Sequence, residues 1–361
     1  MKGAPTIDPI PLLLDLVRTP SLSGDEDAAA DLLARWYREH GLRCTKDETG
    51  VHVVVEGSTD GPTLLFASHL DTVPVGEGWT RDPFATKPIE GKLTARGAVD
   101  AKSSIAAMST AAARVKHLGG PQAGRLIVLA TYCEETRDTT MPAARARLPH
   151  PPDAAVIGEP TSLQPCTAQR GLMVVRITWR GRQLHAGWTE GGAADTNAIR
   201  VAAREIDGLR AHLFPREHPS LGRTSVTPTR IEAGVARNMT PPTCEMILDI
   251  RTTPAYTHEE IASTLRSHFS QASVEILSDR YQPAETPRDS KLLASLMRVA
   301  SDSIVFASPT ASDWVWLRDL DAIKFGPGDS RQSHRPDETI AIAEVERAAA
   351  LLTSTAMEYL A

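Results

Sequence analysis

A histidine and an aspartate stand two apart at the end of an apolar run, in Thr63-Leu64-Leu65-Phe66-Ala67-Ser68-His69-Leu70-Asp71-Thr72-Val73-Pro74. Other carboxylates and a second histidine occupy comparable places. Asp100 closes Ala95-Arg96-Gly97-Ala98-Val99-Asp100, and Glu134-Glu135 follows the run from Arg125 to Thr131. Glu159 lies in Gly158-Glu159-Pro160 after Ala154 to Ile157, and His334 lies in the Gly/Pro-rich stretch from Gly326. In an open α/β sheet, ligands bind beyond the carboxyl ends of the strands. A fold that gathers strand tips would therefore bring these residues together. Histidine with carboxylate suits zinc, with manganese or cobalt as alternatives for the same cage. Two histidines and three carboxylates suit two metals that share one bridging carboxylate. Such paired ions sit ~3.5–4 Å apart and activate water between them.

Adjacent residues leaving a strand point in different directions. One of Glu134 and Glu135 can thus ligate a metal while the other reaches the attacking water. A hydrolase needs that second carboxylate as general base and then as proton donor to the leaving amine. Asp71 suits the task of accepting the other ring N–H of His69 and fixing its orientation. Taken singly, each motif is more often structural: a His-x-Asp pair is commonly a satisfied strand end, and Glu-Glu a solvated helix start. Their recurrence on successive strand tips is what favours a metal-dependent hydrolase. His40, His117, His150, His212 and His218 lack a partner motif of this kind.

The elements that must position these residues read as follows. Residues 9 to 18 and 25 to 41 are helices, the first opened by proline and the second closed by Gly41. Val51 to Val55 and Thr63 to Ala67 are strands with a turn at residues 57 to 61. Ser103 to Leu118 is an Ala-rich helix, followed by the strands Arg125 to Thr131 and Ala154 to Ile157. This alternation predicts a doubly wound α/β domain with a mixed sheet, formed by residues 1–167 and 281–361. From residue 168 to 280 the pattern changes. A half-exposed strand at Leu172 to Trp179 precedes a helix at Thr196 to Leu213, strands at Thr224 to Glu232 and Glu245 to Arg251, a helix from His258, and a strand at Ser273 to Leu277. That order predicts an inserted α+β, ferredoxin-like domain. A helix at Ser290 to Ser301, a strand at Ala322 to Phe325 and a final helix from Ile342 return to the first domain.

The chain has 361 residues, 41% of them hydrophobic and 23% charged, which describes an ordinary globular protein. Its formal net charge of −6 opposes nucleic-acid binding. Four cysteines, Cys44, Cys133, Cys166 and Cys244, are scattered without a CxxC pattern, so no thiolate zinc site or disulfide framework is signalled. With no signal-peptide pattern and no membrane-length apolar run, a cytoplasmic protein is expected.

His69-Leu70-Asp71-Thr72-Val73-Pro74, Gly97-Ala98-Val99-Asp100-Ala101-Lys102, Glu134-Glu135-Thr136, Gly158-Glu159-Pro160 and Ser333-His334 together resemble one family: acetylornithine deacetylase, succinyl-diaminopimelate desuccinylase and zinc carboxypeptidases. The resemblance runs from about residue 9 to the C-terminus. It implies two Zn2+ per subunit, bridged by Asp100, with His69 and Glu159 on one and Glu135 and His334 on the other. It implies Glu134 as general base, Asp71 as orienter of His69, and a cis peptide before the bridging aspartate. It makes the insert a lid that forms a homodimer, with His185 assisting the oxyanion and Asn238 and Arg251 binding a substrate carboxylate.

Gly326-Pro327-Gly328-Asp329-Ser330 resembles the acetylornithine deacetylases and the acetyl-lysine deacetylase or carrier-protein-lysine hydrolase (LysK) branch, and places Gly328 at the substrate. The implied activity releases lysine or ornithine from an N-acylated form in lysine or arginine biosynthesis. The partner is a small N-acyl amino acid or an acidic amino-group carrier protein, with Arg170, Arg176, Arg180 and Arg182 as a basic rim for the latter. A desuccinylase, dipeptidase or carboxypeptidase on the same scaffold is the alternative, and a non-catalytic binding protein a remoter one. Arg137-Asp138 and Arg331-Gln332-Ser333 depart from the commonest residues and flank the acyl or amine pocket.

Overall fold

The apolar runs become the interior of a mixed sheet. The structure, a computed structural model, describes residues 7–84, 87–136, 140–188, 197–209 and 213–361. The chain divides into two units: residues 1–167, 285–306 and 312–361 form one, and residues 168–284 with 307–311 the other.

In the first unit, strands lie side by side in the order Cys44–Asp47, Gly50–Glu56, Ala123–Thr131, Thr59–His69, Ala154–Ile157 and Asp321–Lys324. The four from Ala123–Thr131 onward run parallel, and the two outer ones are antiparallel. Leu64, Leu65, Phe66 and Ala67 are all fully buried, as a parallel strand covered on both faces requires. Helices Pro9–Arg18, Asp27–Glu39, Lys102–His117 and Ile342–Tyr359 contribute to one continuous apolar core. Lys102–His117 is buried almost all round, and its run of alanines makes that close approach possible.

The turn expected at residues 57 to 61 is shorter, because the His69 strand already begins at Thr59. The two strands it separates are not neighbours, since Ala123–Thr131 lies between them. Apolar residues on both faces mark an interior strand of a sheet covered on each face, and its neighbour comes from beyond the next helix. Cys44–Asp47, too polar to signal a strand, pairs as an exposed edge. The short strands Lys92–Thr94 and Thr339–Ala341 pair with each other and hold the stems of the Asp100 turn and the His334 loop.

In the second unit, Ser225–Ala233, Thr243–Thr252, Gly171–Arg180 and Ala272–Tyr281 form an antiparallel sheet in that spatial order. With helices Ala198–Asp207 and His258–His268 this is the split βαβ arrangement of a ferredoxin-like unit. The helix placed at 196 to 213 is shorter, capped by the Asn197 side chain and ended at Asp207; residues 210–212 lie outside the described part. Burial alternates residue by residue along Gly171–Arg180. One face therefore packs on Trp179, Phe269 and their neighbours while the other meets solvent.

Candidate metal centre

His69 is the last residue of its strand, Asp100 closes a turn before Lys102–His117, and Glu134-Glu135 begins three residues beyond Thr131. All of these places lie at the carboxyl end of the sheet. The backbone there is unusual: Cys133 and His334 take left-handed conformations at φ 57° and 64°. Non-glycine residues adopt these rarely, and they recur where a side chain must be re-aimed.

The carboxylate of Asp100 faces both histidines. Its Oδ1 lies 3.2 Å from His69 Nε2 and its Oδ2 lies 3.6 Å from His334 Nε2. His334 Nε2 also stands 3.0 Å from Glu135. His69, Asp100 and Glu135 each offer a ligand atom, all within 4.8 Å of one another. Asp71 lies beneath His69, fully buried. The Nδ1 of His69 is 3.0 Å from the main-chain oxygen of Asp71 and 3.3 Å from its carboxylate. The ring N–H expected on the Asp71 side chain is thus shared with its carbonyl. The carboxylate of Asp71 accepts from Ser23 Oγ at 2.7 Å and from the amides of Glu134 and Glu135 at 3.0 Å each.

The electrostatics follow from this crowding. Burial pushes Glu134 well above its ordinary value; Glu159, Asp313 and Glu135 add to this, and His69 opposes it. Burial and the Asp100 charge raise Glu159 to about 8. Burial alone would lower His69, but hydrogen bonds to Asp100 and Asp71 carry it well above its usual value. Asp71, despite its burial, is held at about 2 by His69, Ser23 and the Glu135 amide. The cluster carries more negative charge than its own imidazoles balance, and divalent cations would balance it. The donors fit such ions. Nitrogen-to-oxygen separations of 3.0 and 3.2 Å match the ~3.3 Å between two ligands of a tetrahedral ion bonded at ~2.0–2.1 Å. An aspartate presenting one oxygen to each histidine fits a bridge.

Gly328, an expected substrate residue, lies in the first unit. The amide of Gly328 donates to Glu344 Oε1 at 2.9 Å, so that donor is already used. His185, Asn238 and Arg251 belong to the second unit. His185 Nδ1 accepts from the Gly187 amide at 3.1 Å, which places the ring proton on Nε2. Arg251 is forked onto Asp249. Of the basic rim, Arg170 donates to the carbonyls of Leu221, Arg223 and Arg251, and Arg176 bridges Glu245 and Glu275. The cis bond joins Asp100 to Ala101, following the aspartate instead of preceding it. Arg137 and Asp138 lie outside the described residues, and Arg331 pairs with Asp329.

Sequence reasoning missed the groups beneath the cage. Ser23 sits in a loop that carried no motif. Asp313 is buried near Thr131, with their oxygens 3.5 Å apart. Lys102 sends its ammonium to the carbonyls of Leu16 and Thr19 at 2.9 and 2.8 Å, and burial lowers it to about 7. Arg96 and Glu338 form a buried pair at 2.7 Å. The one available signal for Glu338 was its place four residues after His334.

Comparison with known proteins extends the picture. Residues 65–358 match the family described as Peptidase family M20/M25/M40. An acetylornithine deacetylase from Proteus mirabilis (strain HI4320) is 30% identical over 369 residues, covering 93% of each chain. Succinyl-diaminopimelate desuccinylase 2 from Ruegeria sp. (strain TM1040) is 30% identical over 303 residues, covering 77% of this chain and 75% of that protein. The Bacillus subtilis YXEP protein, described as a dinuclear metal binding peptidase, shares the fold at a TM-score of 0.76 and 17% identity, covering 97% of this chain and 96% of that one.

Proposed function

The chain belongs to peptidase family M20/M25/M40, and on that premise we propose that it is a zinc-dependent amidohydrolase releasing lysine or ornithine from an N-acylated form. The observation that carries this reading is the placement of the two Asp100 oxygens, one toward His69 and one toward His334. His69, Asp100 and Glu159 would hold one ion, and Asp100, Glu135 and His334 the other. Two such cations supply Lewis acidity to the scissile carbonyl and a nucleophilic water at neutral pH.

The protein's own groups do the rest. Glu134 takes the proton from the attacking water and returns it to the departing amine. Burial, with the charges of Glu159, Asp313 and Glu135 beside it, keeps its proton affinity high against the pull of His69, as a residue that must hold a proton between two steps requires. Asp71 fixes both the His69 ring and the main chain of the Glu134-Glu135 pair. His185, with Nδ1 occupied by Gly187, is left to donate through Nε2 to a developing oxyanion. Arg251 or Asn238 would receive the substrate carboxylate.

The preference for a lysine-type or ornithine-type substrate rests on Gly326-Pro327-Gly328-Asp329-Ser330 and on the acetylornithine deacetylase relative. A homodimer through the second unit is supported by the strand Ser225–Ala233, an edge strand with Ile231 exposed. No described helix is long and apolar enough to cross a membrane.

The test is side-by-side kinetics on acetyl-ornithine, acetyl-lysine, a carrier-lysine conjugate, succinyl-diaminopimelate and a dipeptide panel, with metal restored. Preferred turnover of an acylated lysine or ornithine is expected. Turnover of dipeptides alone would replace this reading with a peptidase.

A further inference from the structure

One fully buried carboxylate of the first unit accepts four hydrogen bonds and is not one of the candidate ligands. Glu338 is fully buried. Its Oε1 accepts from the amides of Val99 and Asp100 at 2.7 and 3.0 Å, and its Oε2 from the amide of Gly97 at 3.1 Å and Arg96 Nη1 at 2.7 Å. The main chain leading to Asp100 is thus wrapped around one carboxylate, as backbone amides wrap an anion. The main-chain oxygen of Glu338 in turn accepts from Ala95 at 3.0 Å.

Arg96 extends the same connection. Its Nη2 reaches the carbonyls of Pro74 and Val75 at 3.4 and 3.1 Å, just past the His69-x-Asp71 segment. Its Nη1 also reaches the carbonyl of Arg335, beside His334, at 3.3 Å, and its guanidinium lies 5.1 Å from the Trp79 ring centroid. One ion pair therefore touches the three segments that carry His69, Asp100 and His334.

We propose that the Arg96–Glu338 pair is the positioning element of the metal centre, setting the separation of the two histidines about the Asp100 carboxylate. This rests on the two-metal reading of the site. The geometry explains why close replacements would serve less well. A glutamine offers one oxygen in place of two and turns an amide N–H₂ toward main-chain donors. An alanine leaves buried donors unmet. A lysine at position 96 keeps the charge but loses the fork that reaches several carbonyls at once.

The experiment is calorimetric titration of zinc into metal-free protein for wild type, Glu338→Gln, Arg96→Lys and a control, Leu352→Ala. Leu352 is buried in the core on the final helix, and truncating it is expected to lower thermal stability without removing a contact of the pair. Glu338→Gln is expected to weaken zinc binding ~10–100-fold and Arg96→Lys to weaken it less, as partners behind metal ligands do. In the metal-loaded enzyme, kcat should fall with KM nearly unchanged. Leu352→Ala should bind zinc as wild type does. If Glu338→Gln folds poorly, Arg96→Lys carries the test. Zinc affinity within twofold of wild type in the folded variants, or equal weakening in Leu352→Ala, overturns the proposal. Failure of wild type itself to bind two zinc ions would instead strike the two-metal reading.

Discussion

The carboxylate of Asp71 accepts the main-chain N–H of Glu135 at 3.0 Å while its other oxygen accepts that of Glu134 at the same distance. Asp71 also lies against the ring of His69. One buried side chain thus ties the first strand tip to the second, so the proposed ligand and the proposed base are placed by the same group.

Asp71→Asn should therefore damage more than the His69 ring. An amide nitrogen would turn a donor toward the Glu134 or Glu135 N–H, and two donors would face each other. Metal affinity is expected to fall ~10–100-fold, with kcat falling alongside. Metal titration and steady-state kinetics on the same preparation check this; unchanged affinity would reduce Asp71 to a structural role.

Glu134→Gln keeps the shape of the base and removes its ability to carry a proton. Turnover should fall ~100- to 10,000-fold with KM and metal content preserved. Near-wild-type kcat in a metal-replete variant would sink the assignment of Glu134 as general base.

Removing metal should cost stability as well as activity. Burial first, and then the neighbouring carboxylates, raise the proton affinities of Glu134 and Glu159, so the charged cluster is costly without a cation. Metal at ~1,000 times its dissociation constant should stabilise the fold by about 4 kcal/mol per site. Thermal melts before and after chelation, with zinc, cobalt and manganese added back, read this directly. Identical melting temperatures with and without metal would contradict it.

His52, which is not among the candidate ligands, provides a further pH dependence. It lies on the Gly50–Glu56 strand, and burial holds its imidazole below the ordinary value against the pull of Asp47. The folded state then binds fewer protons than the unfolded one across the interval between the lowered value and the unfolded ~6.5, so stability rises with pH there. Its contribution is complete above ~6.5 and is lost as pH falls through the folded value. Urea midpoints from about pH 7 to about pH 5 should show the loss, and His52→Gln should flatten it. An unchanged slope in the variant would reject His52 as a source.

The candidate centre was largely legible because its parts are local in sequence. His69, Asp100, Glu135, Glu159 and His334 each announce themselves by an apolar strand or a Gly-rich turn, and strand tips in such a sheet converge for topological reasons. The buried runs Leu64 to Ala67 and Leu126 to Ala130 likewise state their doubly covered environment, and the alternation along Gly171–Arg180 states a one-sided sheet. What lay beyond a sequence reading depends on pairs distant along the chain. Ser23 and Asp71, or Arg96 and Glu338, carry no periodicity that links them, and each pair exists only because separate loops close over the same point. Cys44–Asp47 shows the same limit in the sheet: a polar edge strand is made by its neighbour. By itself the sequence determined residue types, strand tips and the chemistry they can perform. Only the tertiary structure decided which Asp100 oxygen meets which histidine and that the Gly328 amide is taken by Glu344. It also decided that a buried glutamate, unremarkable in sequence, holds the turn on which the centre depends. Side-chain chemistry is a local property, whereas the meeting of two buried groups is decided by the whole path of the chain between them.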